Sequence, residues 1–265
     1  MRQALLQGQY WAGGRYPLGR ARVDWADATS RLGANQYDGK LWLDKRDVIG
    51  VADGATIDTW PAKIGTDATQ PAAGKRPALD KASGTIVFDA VDDGMQTFPD
   101  LSTSPTACVL ATAYSTLAAG TGIAWEYTVN YNVNKGIIIL FSTQLVSVGS
   151  TILAYSVRRD AASVGSRLVT FGGRFDSRTT PEDTIDLWKA DAGVAGEVTS
   201  FAVELDADGT GNYDAATSWL GSRNDGTAGT PLGGGIREFM LFGSYIPDIA
   251  WENITRAMAL RADIL

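Results

Sequence analysis

The stretch from Leu41 to Met95 decides the fold. It opens with LWLDKRDV (41–48) and, after a Gly/Asp-rich gap, continues as TWPAKIGTDATQPAAGKRPALD (59–80) and GTIVFDAVDDGM (84–95). Two strand-like apolar pieces carry one tryptophan each, Trp42 and Trp60, and their apolar neighbours predict core positions for both. Turn chemistry separates the two pieces. A polar ATQ…KRP loop follows, then a strand through Ile86, Val87 and Phe88 that ends in the turn Asp92-Asp93-Gly94.

Strand-length runs recur downstream at Ala107–Tyr114, Ile123–Val129, Gly136–Ser142, Thr151–Arg158, Arg167–Phe171, Thr184–Ala190, Phe201–Asp206, Tyr213–Leu220 and Ile236–Phe242. Clusters of Gly, Asn, Asp, Ser or Pro separate them, and that rhythm predicts a sandwich or barrel. GIIILF (136–141) is apolar throughout, as a strand covered on both faces is. FAVELD (201–206) alternates, with Phe201, Val203 and Leu205 on one face. One helix closes the chain: Pro247 and Asp248 start it, Asp248 serves as N-cap, and Ile254, Ala257, Met258, Arg261 and Leu265 follow at helical spacing. The pairs and triplets Gly13-Gly14, Gly172-Gly173 and Gly233-Gly234-Gly235 lie in no strand–helix phosphate loop and read as turns or bulges.

Composition narrows the function classes. The 265 residues carry 45% hydrophobic and 20% charged side chains, 30 Gly, and a net charge of −7. That balance supports one large β domain and argues against nucleic-acid binding. Residues 1–36 contain five Arg and two Asp, a net of +3, which leaves −10 for the rest. This basic arm carries Tyr10, Trp11, Arg15, Tyr16, Arg20, Arg22 and Trp25, an aromatic density suited to packing on the body or on a partner. With no histidine, Ser-His and Cys-His nucleophiles and His-based zinc sites are excluded. The single cysteine, Cys108, sits in an apolar run and reads as a buried small hydrophobe. No run suits a membrane span, and MRQALLQGQYW lacks a signal-peptide core.

The order of the opening elements resembles domains of the laminin-G-like, concanavalin A-like lectin/glucanase superfamily found in bacteria and phages. The ending resembles it too: VELDADG…NYDAATSWLG is similar to the family's penultimate hairpin, and TSWLGSRNDG followed by GGGIREFMLF and a short helix is similar to its close. The resemblance covers most of residues 41–260, while residues 1–36 match nothing in it. It implies an all-β, two-sheet antiparallel jelly-roll sandwich over 37–265, with one short C-terminal helix and an extended N-terminal arm over 1–36. Such domains bind carbohydrate and serve in phage particles.

Three motifs could carry chemistry. Glu204, Asp206 and Asp208 alternate on a strand as paired carboxylates would, and they resemble the superfamily's glucanase signature. The final acid is an Asp directly before Gly209, however, and the segment also reads as the solvent face of a strand entering a turn. Asp206, Asp208 and Asp214 offer oxygens to calcium but lack the EF-hand register, so turn chemistry explains them with fewer assumptions. Sugar stacking needs aromatic faces beside amides, and Trp125, Tyr127, Asn130 and Tyr131 in AWEYTVNYN are the candidates, with Asn132, Trp188 and Trp219 as further ones. Core packing competes for Trp125 and Tyr127.

The expectation is a non-enzymatic phage virion component, a decoration, tail or baseplate protein, that displays a lectin-like domain for host attachment. Its arm would contact other virion proteins, copies would associate as homo-oligomers, and a bacterial surface glycan would be the ligand. The chain would assemble in the host cytoplasm, with no cofactor, metal, nucleic acid or membrane partner. A free carbohydrate-binding protein is the alternative, followed by a glycoside hydrolase using Glu204, Asp206 or Asp208.

Overall fold

Alternation along the strands sorts the side chains into two layers, with a helix outside one of them. A computed structural model describes residues 31, 33–117, 122–128, 136–142, 146–152, 154–178, 185–199, 201–205, 211–223 and 230–265. Its strands are β1 (Gly39–Asp44), β2 (Thr59–Trp60), β3 (Ala62–Ile64), β4 (Ala68–Thr69), β5 (Ala78–Asp80), β6 (Thr85–Asp89), β7 (Met95–Thr97), β8 (Thr106–Ser115), β9 (Gly122–Tyr127), β10 (Ile137–Phe141), β11 (Val146–Ile152), β12 (Ala154–Asp160), β13 (Val169–Asp176), β14 (Ile185–Asp191), β15 (Val194–Glu197), β16 (Phe201–Leu205), β17 (Ser218–Leu220) and β18 (Gly233–Phe242). Helix α1 is Asp248–Arg261.

Among the described residues, two nine-stranded sheets form. One runs β15-β14-β13-β8-β18-β1-β3, with β6 beside the first half of β18 and β5 beside β6; the other runs β16-β12-β11-β10-β9-β17-β7-β4-β2. Every strand pair is antiparallel, so the expected two-sheet sandwich is the observed one. The chain changes sheets at both sides. Pro61 sits between β2 of the second sheet and β3 of the first, where its missing N–H breaks no ladder. At the other side the chain passes from edge strand β15 to edge strand β16.

The inner faces make the main core. Leu41 and Leu43, Val109 and Ala111, Phe171 and Phe175, and Phe239 and Leu241 come from the first sheet; Trp60, Met95, Trp125, Tyr127, Ile139, Phe141 and Leu220 come from the second. Phe141 meets Phe171 across the gap with centroids 4.8 Å apart. A second cluster lies on the outer face of the first sheet, where Trp42, Leu110, Trp188, Met240 and Phe242 pack under Trp251, Ile254 and Met258 of α1. Trp42 and Trp60 are both core, as their neighbours predict.

Charge fixes the helix to the sheet. Buried Glu238 accepts from Trp42 Nε1 (2.8 Å) and from Arg261 Nε and a terminal guanidinium nitrogen (3.0 and 2.6 Å). Arg31, Lys63 and Arg261 each lie over the Trp42 ring, at 5.6, 4.6 and 5.7 Å from its centroid. Within the span read as an arm, residues 33–36 are helical and Ala34 joins the second cluster.

Several local readings need correction. Thr151–Arg158 is two strands, since the chain leaves β11 at Ile152 and enters β12 at Ala154. Gly172 and Gly173 are not in a turn; they are mid-strand in β13, where the backbone of β8 comes too close for a Cβ at 172. Gly233–Gly235 likewise begin β18, and the bulge there falls one residue later, between Ile236 and Glu238. The helix starts at Asp248 with Pro247 in the N-cap position and no side-chain cap. The Asp248 carboxylate binds Arg174 instead (2.6 Å).

Candidate functional site

The ATQ…KRP loop proves to be a structural clasp. Gln70 Nε2 donates to Gly94 O, the Ala72 N–H donates to Gln70 Oε1, and Arg76 donates to the carbonyls of Gln70 and Pro71. It holds β4 against the Asp93-Gly94 turn that feeds β7, which fixes the open end of the second sheet.

That sheet has an outer face that α1 does not cover. Cross-strand register places Thr69, Gln96, Trp219, Glu126 and Ile138 in one row from β4 to β10. Their strand neighbours Ala68, Met95, Leu220, Trp125 and Ile139 point the other way, into the main core. Glu126 and Ile138 are buried, so the face is closed at its centre. Over β17, β7 and β4 it opens: Trp219, Gln96 and Thr69 are partly exposed, and Phe98, two residues beyond Gln96, is 54% exposed. Trp219 and Thr69 are thus the cross-strand partners of Gln96, with the exposed Phe98 just past the end of β7, a composition compatible with stacking on an apolar ring face.

An ion pair forms the boundary between the covered and open parts. Arg223 Nε donates to both oxygens of Glu126, at 3.0 and 3.2 Å. Burial pushes the Glu126 pKa up, and the Arg223 charge opposes the rise. Gly221 sets this geometry. Its φ of +77° is a left-handed turn residue, and a Cβ there would sit 2.0 Å from the Phe88 ring. Gly221→Ala is expected to displace Arg223 from Glu126 and lower the melting temperature; an unchanged melting temperature would refute this role for the turn.

The structure corrects the predicted sugar contacts. Trp125 and Tyr127 are fully buried on the inner face, where their rings stack on each other and Trp125 meets Phe239. The Tyr127 hydroxyl accepts from the Leu101 N–H. Neither ring is available to a ligand, because the register that puts Glu126 outside puts both of them inside. Asn130, Tyr131 and Asn132 lie outside the described residues. So do the arm residues Tyr10, Trp11, Arg15, Tyr16, Arg20, Arg22 and Trp25. Trp188 is buried beneath α1, with Arg174 over its ring. Trp219 is therefore the one sequence candidate the described structure leaves on an open face, and Phe98 is a residue the sequence reading missed. Its signal was local: a large apolar residue just after a short strand, before Pro99 and Asp100.

The acidic motifs divide. Glu204 lies on edge strand β16 opposite Arg158 of β12, while Asp206 and Asp208 lie outside the described residues. Asp214 is exposed. Asp89, Asp92 and Asp93 bring carboxylate oxygens within 4.8 Å of one another. Asp89 Oδ1 accepts from the N–H groups of Val91, Asp92 and Asp93, and Asp93 Oδ2 accepts from the Asp89 N–H, which is the turn the sequence indicates. Burial and then the Asp89 charge raise the Asp93 pKa from 3.8 to about 6. The folded state thus holds this proton more tightly than the unfolded chain, so its contribution favours folding more as pH falls from about 6 toward 4. Asp93→Asn is expected to raise the melting temperature at pH 7 by roughly 2–4 °C, the effect of about 1 kcal/mol in a domain this size. A melting temperature at pH 7 that stays level or drops in that variant would contradict the argument.

No protein-family model matches this sequence, and no curated protein does either. Solved structures do. The chain is similar to Trypanosoma rangeli sialidase in complex with sialic acid, at 10% identity and a TM-score of 0.55, over 92% of this chain and 38% of the sialidase. The same enzyme in complex with 2,3-difluorosialic acid gives 11% identity and a TM-score of 0.53, over 83% and 32%. The CBM40 of Ruminococcus gnavus IT-sialidase bound to α2,3 sialyllactose gives 14% and 0.42, over 58% and 84%. The likeness is one of fold. This chain spans between 32% and 38% of the length of those sialidase structures. Among its described residues, no helix is long and apolar enough to cross a membrane.

Proposed function

We propose that this protein is a non-catalytic β-sandwich that binds a glycan through the open outer face of its second sheet and serves as a structural component of a phage virion. One observation carries the glycan reading: partly exposed Trp219 lies across from Gln96, with exposed Phe98 just past the end of β7, on a face that the protein's own helix leaves open. Stacking on a pyranose ring uses such aromatic faces, and the amide and hydroxyl supply the hydrogen bonds that orient it. The sandwich shared in part with sialidase structures is consistent with that use. The virion role is supported by the laminin-G-like resemblance and by a basic, aromatic arm of net +3 on a remainder of −10, a charge pairing suited to contacts with other particle proteins or with further copies of this chain.

A glycan array probed with the full chain and with the Trp219→Ala/Phe98→Ala double variant tests the binding reading. Binding that falls by more than about tenfold in the folded variant is expected, since each stacked ring contributes on the order of 1 kcal/mol. Binding that the double variant retains would move the site elsewhere. Peptides of this chain in purified phage particles are the expected mass-spectrometric result for the virion role; a chain found only free in the lysate would remove it. Release of soluble sugar that Glu204→Gln abolishes would replace both readings with the hydrolase.

A further inference from the structure

We infer that the open face selects neutral hexose-type glycans and discriminates against carboxylated ones, and that Glu126 is the positioning residue that sets this preference. The inference rests on the glycan-binding reading above. Arg223 binds Glu126, the cross-strand partner of Trp219, and its side chain is 24% exposed. By itself such a guanidinium would recruit a sugar carboxylate through paired, charge-assisted hydrogen bonds.

Glu126 removes that option. Its carboxylate is 2% exposed and takes Arg223 Nε on both oxygens, so the pair presents no net charge to the face. The remaining row is neutral: Trp219, Gln96 and Thr69, with Phe98 beyond. Around it the protein is acidic overall, at −7, and would repel an anionic ligand over a Debye length. An aromatic platform, an amide that both donates and accepts, and a compensated guanidinium match the hydroxyls and apolar ring face of a neutral pyranose. A carboxylate would find the Arg223 guanidinium already compensated by Glu126.

The test compares neutral hexose oligosaccharides with the same oligosaccharides terminated in a uronate or a sialic acid, immobilised at equal density. The unmodified protein is expected to bind the neutral set about tenfold more tightly, because a carboxylate would give up hydration without a free cation to replace it. The ratio should widen at low salt. Glu126→Gln keeps the side-chain shape and removes the counter-charge, so it should raise acidic-glycan binding relative to neutral. A preference for acidic glycans in the unmodified protein would overturn the inference and keep the binding reading. So would a neutral-to-acidic ratio unchanged in a folded Glu126→Gln. Failure of both sets to bind the unmodified protein would overturn the glycan reading itself, and the inference with it. The ratio in the unmodified protein needs no variant, so a Glu126→Gln that fails to fold leaves the first comparison decisive.

Discussion

Replacing Arg261 with alanine is expected to destabilise the fold by about 3–5 kcal/mol, the cost of stranding a buried charge. Glu238 sits on the outer face of the first sheet with almost no solvent contact, and Arg261 supplies two of its hydrogen bonds. Without that guanidinium, Glu238 would keep the Trp42 indole N–H as a donor but lose its counter-charge. Burial already pushes the Glu238 pKa up, and Arg261 is the main opposing charge. The variant should therefore take up a proton at Glu238 nearer neutrality, and its stability should improve as pH falls. Pairing Arg261→Met with Glu238→Gln should recover most of the loss, because both charges leave together. Urea unfolding at two pH values checks this. A loss under about 1 kcal/mol for Arg261→Ala would show the pair to be solvated, as surface pairs are.

The second large effect is steric. Gly172→Ala is expected to cost about 3 kcal/mol, the upper part of the overpacking range. A Cβ at Gly172 would lie 1.8 Å from Val109 O and 2.9 Å from Leu110 Cα, and both are backbone atoms of the paired strand that cannot swing aside. Gly196 in β15 is the control: a Cβ there meets nothing within 4 Å, and Gly196→Ala should change stability by no more than about 0.5 kcal/mol. Equal melting temperatures for the two variants would mean that β8 and β13 separate easily, contrary to the packing argument.

Much of this architecture is legible residue by residue. The apolar surroundings of Trp42 and Trp60 announce the core, the recurrent turn residues announce many short strands, and the helical spacing of Ile254, Ala257, Met258 and Arg261 announces the final helix. Where the reading fails, the deciding force is non-local. TILAYS carries no Gly, Pro, Asn or Asp, so the change from β11, ending at Ile152, to β12, starting at Ala154, leaves no local mark. Gly172 and Gly173 resemble a turn because only the approach of β8 explains them. Trp125 and Tyr127 alternate correctly with Glu126, yet alternation says only that they share a face. Which face it is depends on pairing with Leu220 and Ile139. The same register turns Trp219 outward, so one pairing both removes the expected sugar contacts and supplies their replacement.

The pairing of β1 with β18 also sets a clock. Trp42 reaches Glu238 across 196 residues of chain, and β18 is shared by β8, β6 and β1. During synthesis β1, β6 and β8 emerge well before the strand that will join them, their free edges and apolar faces open to other nascent chains. Closure waits for β18 to leave the ribosome. Yield in a cell should therefore depend on how fast translation reaches β18 and on which holdase meets the unfinished sheet, more than on how stable the finished molecule is.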